Sequence, residues 1–240
     1  MAKKNVFARP LLRARLHEEI VFIIQKKIMS GTIAPGEKLP TERELAETFD
    51  VNRATVREAL RKLENLDLVE IRHGDGLYVK NYLESGNFDL IKSALHTNGS
   101  GETVINILEA RRYIVPRIAY IAAEKRTPED LDELKAVVFG SNLDMLEKDI
   151  RVHQLIARST HNLLCTIGLN FFNQIFRDYG HLYFDDPRNA ERSNIFHHDI
   201  YEAIRNQRPD DARRIMREVL IYAEEAVKRE LPNAQQENNG

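Results

Sequence analysis

TERELAETFDVNRATVREALRKLENLDLVEIRHGDGLYV, residues 41–79, decides the fold of this chain. It reads as helix, tight turn, helix and then a short hairpin. Thr41 followed three residues later by Glu44 is a capping box that opens the first helix. Leu45, Ala46 and Phe49 fall on its inner face. The chain turns at Asp50-Val51, and Asn52 caps a second helix reaching about Leu66. Val56, Ala59, Leu60 and Leu63 make the core stripe of that helix, while Arg53, Arg57 and Arg61 stand four apart on another face. Adjacent guanidiniums repel unless anions pair them. A duplex backbone supplies such anions, and base edges in the major groove accept the same fork of donors. Two apolar-rich runs, 68–72 and 77–80, then flank His73-Gly74-Asp75-Gly76, whose glycines permit the positive φ of a tight hairpin. Arg72 and His73 lie near its tip, so a helix-turn-helix with a wing is the simplest reading.

Upstream, residues 11–29 predict a long helix with Leu12, Leu16, Ile20, Ile23, Ile24 and Ile28 as its apolar stripe, ended by Gly31. The 240 residues carry a net charge of −2, which conceals an asymmetry. Up to residue 82 there are 15 Lys and Arg against 12 Asp and Glu, and beyond it 20 against 25. A mildly basic front half suits phosphate, and an acidic rear half stays away from it. Cys165 is the single cysteine, which excludes an internal disulfide framework and suits a reducing cytoplasm; its apolar surroundings predict a buried, inert thiol. No apolar run approaches the ~18 residues of a membrane span, and no signal-type hydrophobic segment follows the basic start.

Residues 81–87 read as a linker, and from residue 88 onward only helices are predicted: 88–96, 102–125, 128–139, 142–159, 162–183, 187–206 and 209–229. The fold class is therefore mainly α, an N-terminal winged helix-turn-helix (1–80) followed by an antiparallel helical bundle (88–231) and a disordered tail (232–240). The helix at 162–183 is apolar around much of its girth and is expected to be central. Polar residues interrupt two inward stripes. Asp149 and His153 lie one turn apart beside Ile150 and Ile156, and His197 aligns with Ile200, Tyr201 and Ile204. A carboxylate and an imidazole so placed hold a metal or form an internal ion pair.

The run from Pro35 to Val79 resembles the winged helix-turn-helix of GntR-family bacterial transcription factors. By that resemblance the DNA-contacting residues are Arg43, Arg53, Thr55, Arg57, His73 and Gly74, with Asn52 as cap and phosphate neighbour. Position 75, often basic in relatives, is Asp here, which is expected to weaken the wing contact. The rear half is similar to the all-helical FCD-type effector domain of the FadR branch. Its signatures are Glu109-Ala110-Arg111, Asp149-x-x-x-His153 with His161-Asn162, and His197-x-x-Ile200 with Ala203-Ile204. Such domains hold a divalent metal, zinc or nickel or similar, on one Asp and two or three His, and bind a small carboxylate beside it. Asp149, His153 and His197 match the first three ligand positions, while the fourth falls on Val219. Arg111 would grip the carboxylate, and Tyr113, Arg151, Asn162 and Tyr201 are further lining candidates. The resemblance implies a cytoplasmic homodimeric regulator, not an enzyme. It would act as a repressor on a palindromic operator, with recognition helices roughly 34 Å apart. A metal-dependent hydrolase built on the same three ligands and a regulator sensing the metal alone remain the alternatives.

Overall fold

A computed structural model describes residues 14–98 and 101–237. Residues 11–13 of the expected first helix and the end of the expected tail lie outside them. The chain divides into two compact units that meet between residues 98 and 101.

The first unit begins with α1 (Ala14–Met29), followed by α2 (Glu42–Thr48) and α3 (Arg53–Asn65). The hairpin β1 (Val69–Arg72) and β2 (Gly76–Val79) comes next, then the single turn α4 (Tyr82–Ser85) and α5 (Phe88–Asn98). Both expected caps form. Thr41 Oγ1 accepts from Glu44 N while Glu44 Oε2 accepts from Thr41 N, and Asn52 Oδ1 accepts from Thr55 N at 2.9 Å. Between α2 and α3 the chain reverses through Asp50 at φ +50°, a left-handed conformation that Asp tolerates better than most residues. Ile20, Ile24 and Ile28 of α1 share one core with Val56, Ala59 and Leu63 of α3 and Leu68 below them. Sequence periodicity missed one piece. Residues 36–39 add an extended edge to β2, with Gly36 N donating to Val79 O and Leu39 N to Leu77 O, both at 2.8 Å. The linker region also holds α4, capped by Asn81. Helix α5 packs on α1: Leu90 joins that core and Ser93 Oγ donates to Gln25 Oε1 at 2.7 Å.

The second unit is all helix: α6 (Gly101–Lys125), α7 (Pro128–Gly140), α8 (Met145–Arg158), α9 (Leu163–Tyr179), α10 (His181–Phe184), α11 (Pro187–Arg205) and α12 (Pro209–Glu237). Side-chain caps start four of these, at Thr127, Asp144, Asn162 and Asp186. α6 and α12 lie along each other, with Arg112 Nε donating to Glu224 Oε2 at 2.8 Å, and both bury small residues, Ala119, Ala122 and Ala123 in α6 and Ala212, Ala223 and Ala226 in α12. α8 is the axis of the bundle, packed by α6, α7, α9, α10 and α11. Four expectations are corrected. The helix expected over 162–183 breaks at Gly180, where an added Cβ would sit 2.6 Å from Leu146 Cδ1 of α8, so close packing excludes a side chain. Its first turn is not central: Leu163, Leu164 and Ile167 are exposed, and Leu169, Phe172, Ile175 and Phe176 carry the burial. Cys165 beside them is half-buried rather than enclosed. Finally, α12 continues past residue 229 to Glu237, running on through Pro232.

Candidate nucleic-acid interface and interior polar site

The exposed surface of α2 and α3 collects five of the sequence-predicted contact residues. Arg53 is the first residue of α3, exposed where the helix dipole and free backbone N–H groups also favour an anion. Thr55 Oγ1 lies 3.2 Å from Asn52 Oδ1, so cap and hydroxyl form one polar corner. Arg57 reaches across to α2, where its Nη2 donates to Glu42 Oε2 at 3.2 Å, and Arg43 lies 3.9 Å from Glu47. Arg61 pairs with Glu58 at 3.0 Å. Arg57 and Arg61 of the guanidinium ladder are thus relieved by the chain's own glutamates, and of these pairs the one to Glu42 is the one that helical spacing does not connect. Such exposed pairs contribute about 0–1 kcal/mol, so a phosphate or a base edge can displace them.

His73 and Gly74 stand at the exposed hairpin tip, with Gly74 at φ +78°. Below the tip Arg72 donates to Glu70 at 2.7 Å and lies over the Tyr78 ring at 4.1 Å. Asp75 is not a bare negative charge. It accepts from Tyr78 Oη at 2.9 Å and from Lys38 Nζ at 3.1 Å, and these hydrogen bonds hold its carboxyl below the usual range. Its role is to tie the wing to the extended segment at 36–39.

Inside the bundle, α6, α8 and α11 bring Arg111, Asp149, His153 and His197 together, all buried at 4% exposure or less. His197 Nε2 lies 3.0 Å from Asp149 Oδ1, and His153 Nε2 lies 3.6 Å from Asp149 Oδ2. Burial pulls the Asp149 carboxyl upward, but His153, the His197 hydrogen bond and the Arg111 charge outweigh it and hold it at about 2. Burial, with Arg111 adding to it, pushes His153 down to about 3, so its imidazole is neutral near pH 7. Burial also lowers Arg111, opposed by Asp149 and Tyr183. The Arg111 guanidinium lies 4.7 Å over the Phe176 ring, at the edge of an apolar pocket lined by Ile107, Leu108, Phe172 and Ile175.

Sequence reasoning missed Tyr183, Ser193 and Asn173. Tyr183 comes from α10, its Oη 3.5 Å from Ser193 Oγ, and burial pushes its phenol up to about 12. Among the described residues, the buried side-chain polar atoms without a hydrogen-bond partner are Arg111 Nε, His153 Nδ1, His197 Nδ1 and both amide atoms of Asn173. All belong to α6, α8, α9 and α11, the helices packed about α8. Each such atom costs about 1–3 kcal/mol, and native interiors retain few of them. No spacing rule finds Asn173, whose stripe position resembles that of its apolar neighbours. The other lining candidates fall elsewhere: Tyr113 is exposed, Asn162 caps α9, Arg151 is half-buried and Tyr201 packs edge-on against Phe139.

The donors Asp149, His153 and His197 meet, but not as a metal centre. Among the described residues no group of three or more His, Cys, Asp or Glu is placed to hold an ion. Each imidazole turns its Nε2 to its own oxygen of one carboxylate, neither Nδ1 has the partner that orients a ligating histidine, and the fourth position is the apolar Val219. The residues do not fit a divalent metal.

Among the described residues no helix is long and apolar enough to cross a membrane. Residues 16–79 match the family model "Bacterial regulatory proteins, gntR family", and residues 106–221 match the FCD domain. The HTH-type transcriptional regulator Mce2R of Mycobacterium tuberculosis is 40% identical over 50% of this chain and 51% of its own length, so the chain spans about half of that relative. The galactonate operon transcriptional repressor of Escherichia coli is 28% identical over 81% of this chain and 89% of its own. A solved structure of Lar, which controls expression of the Listeria monocytogenes agr system, covers 93% of this chain and 99% of its own at TM-score 0.54 and 18% identity, a likeness of fold.

Proposed function

The chain belongs to the GntR family of bacterial regulatory proteins and carries an FCD domain behind its winged helix, and on that premise we propose that it is a cytoplasmic transcriptional repressor. It binds a palindromic operator as a homodimer and responds to a small carboxylate. The observation that carries the reading is the opening of α3, where Arg53 and Arg57 stand exposed, with Thr55 half-buried between them, at a capped helix start beside Arg43. Those side chains offer forked donors to guanine edges and to phosphates, and the wing tip at His73 and Gly74 offers a second point of contact. Non-specific affinity follows from phosphate neutralisation and falls with salt.

The effector half rests on Arg111. A buried guanidinium with an unpartnered Nε, edged by apolar side chains, suits a carboxylate that brings two acceptor oxygens. Asn173, His153 and His197 hold the other unpartnered atoms, which hydroxyl groups on the same ligand would satisfy. Binding there shifts operator affinity by a coupling of about 1–3 kcal/mol.

The test selects duplexes from a random library with the full-length protein, then titrates them with a panel of small carboxylates. Galactonate belongs in that panel because one relative is named for it. One acid is expected to change DNA affinity by roughly 5–150-fold. Arg111→Gln, and Arg111→Lys as the variant that keeps the charge without the fork, should lose that response with DNA affinity intact. A full response in Arg111→Lys and Arg111→Gln refutes the assigned grip, and failure to enrich any duplex refutes the DNA reading.

A further inference from the structure

We propose that the interior site of this chain works without a metal ion, Arg111 supplying the positive charge that a dication would otherwise bring to Asp149, and Val219 being the residue that decides it. The proposal deepens the reading of this cluster as the effector site, but the geometry behind it is independent of any effector.

Three observations converge. First, both imidazoles turn Nε2 toward Asp149: His197 sits within hydrogen-bond distance of Oδ1 at 3.0 Å, and His153 stands 3.6 Å from Oδ2. At that distance the His197 Nε2 edge is occupied by the Asp149 carboxylate rather than open. The two Nδ1 atoms are buried and unpartnered, open to a polar group on an organic ligand. A ligating histidine is held the other way round, with its second nitrogen donating to a fixed acceptor.

Second, the charges already balance. Asp149 and Glu224 are the buried acids among the described residues, and Glu224 is occupied by Arg112 at 2.8 Å and Lys228 at 2.6 Å. Asp149 is thereby left as the anion facing Arg111. A dication added beside a buried guanidinium would leave two uncompensated positive charges in the bundle, which low-dielectric surroundings penalise heavily.

Third, Val219 on α12 is 6% exposed and offers no donor. With Phe196 and Ile215 it forms the apolar part of a cavity of about 330 Å³ between α11 and α12, whose remaining lining is mostly charged, Asp199, Glu202, Arg214 and Glu218 among it. Phe196 in turn stacks on the His153 ring at 5.6 Å, so the surface between Val219 and the imidazole is aromatic rather than polar. The same cavity leaves room for a larger side chain at position 219.

The experiment uses the full-length protein and metal alone. Purified protein is dialysed against Zn²⁺ or Co²⁺ and its metal content is measured, with cobalt absorption reporting coordination. Wild type is expected to retain well under one ion per chain, with no tetrahedral cobalt bands. Val219→His should take up one ion per chain, bound at least about ten-fold more tightly than by wild type, the scale on which even supporting partners move metal affinity. Val219→Cys, smaller than Val and a thiolate donor, serves if the histidine variant does not fold. Wild type binding one ion per chain and losing it on Asp149→Asn overturns the proposal. So does a folded Val219→His or Val219→Cys that binds no better than wild type. Because no carboxylate enters this assay, its failure leaves the effector reading standing, and an effector response lost or kept in Arg111→Gln leaves this one standing.

Discussion

Acidification should destabilise the helical bundle through His153 before the Asp149 carboxylate titrates. Its imidazole is 2% exposed, and burial together with Arg111 lowers its pKa from 6.5 to about 3. The unfolded chain binds a proton near pH 6.5 that the native state refuses until about pH 3. Stability from this group is therefore fully present above pH 6.5 and is lost progressively as pH falls from there. One proton is linked at about 1.4 kcal/mol per pH unit, so lowering pH from about 7.5 to 5.5 removes about 1.4 kcal/mol. Asp149 has the depressed carboxyl of the pair, at about 2, so its contribution persists above the ordinary carboxylate range and falls away only below this window. Native-state hydrogen exchange of α8 amides, corrected for intrinsic rates, reads the bundle separately from the DNA-binding unit. His153→Asn, a neutral donor that does not titrate, should be less stable at pH 7.5 but lose about 1.4 kcal/mol less than wild type on descending to pH 5.5. Equal slopes in the two proteins, or an imidazole signal from His153 titrating near pH 6.5, would refute the reasoning.

Arg57→Ala should weaken binding to a selected duplex by about 1–3 kcal/mol and relax preference at one base position, read by competition among single-base variants. Unchanged affinity and preference would show that α3 does not dock through Arg57. Thr41→Ala removes the hydroxyl half of the capping box, leaving Glu44 Oε2 on the backbone N–H, and should lower the stability of the first unit by about 1 kcal/mol, seen as a shift in denaturation midpoint at constant slope. No shift would mean that Glu44 caps the helix alone.

The elements of this protein were legible in its sequence wherever their causes are local. Thr41 with Glu44, Asn52, Thr127 and Asp186 announce helix starts because each cap acts on backbone groups two or three residues away. The glycines at 74 and 76 announce the hairpin because positive φ is a property of one residue. Helical periodicity likewise sufficed to turn Asp149, His153 and His197 inward, and resemblance singled out Arg111. Tertiary structure alone decided what those side chains meet. It attached α5 to α1 through Ser93 and Gln25, broke the expected helix at Gly180 against Leu146, and exposed Leu163 and Leu164. It also set Glu42 against Arg57 and gathered Asn173 and Tyr183 into the helices around Arg111. The reason is physical: caps and periods are read over a few residues of chain. Ion pairing, desolvation and cavity shape depend on groups that only the packed bundle brings within a few ångströms.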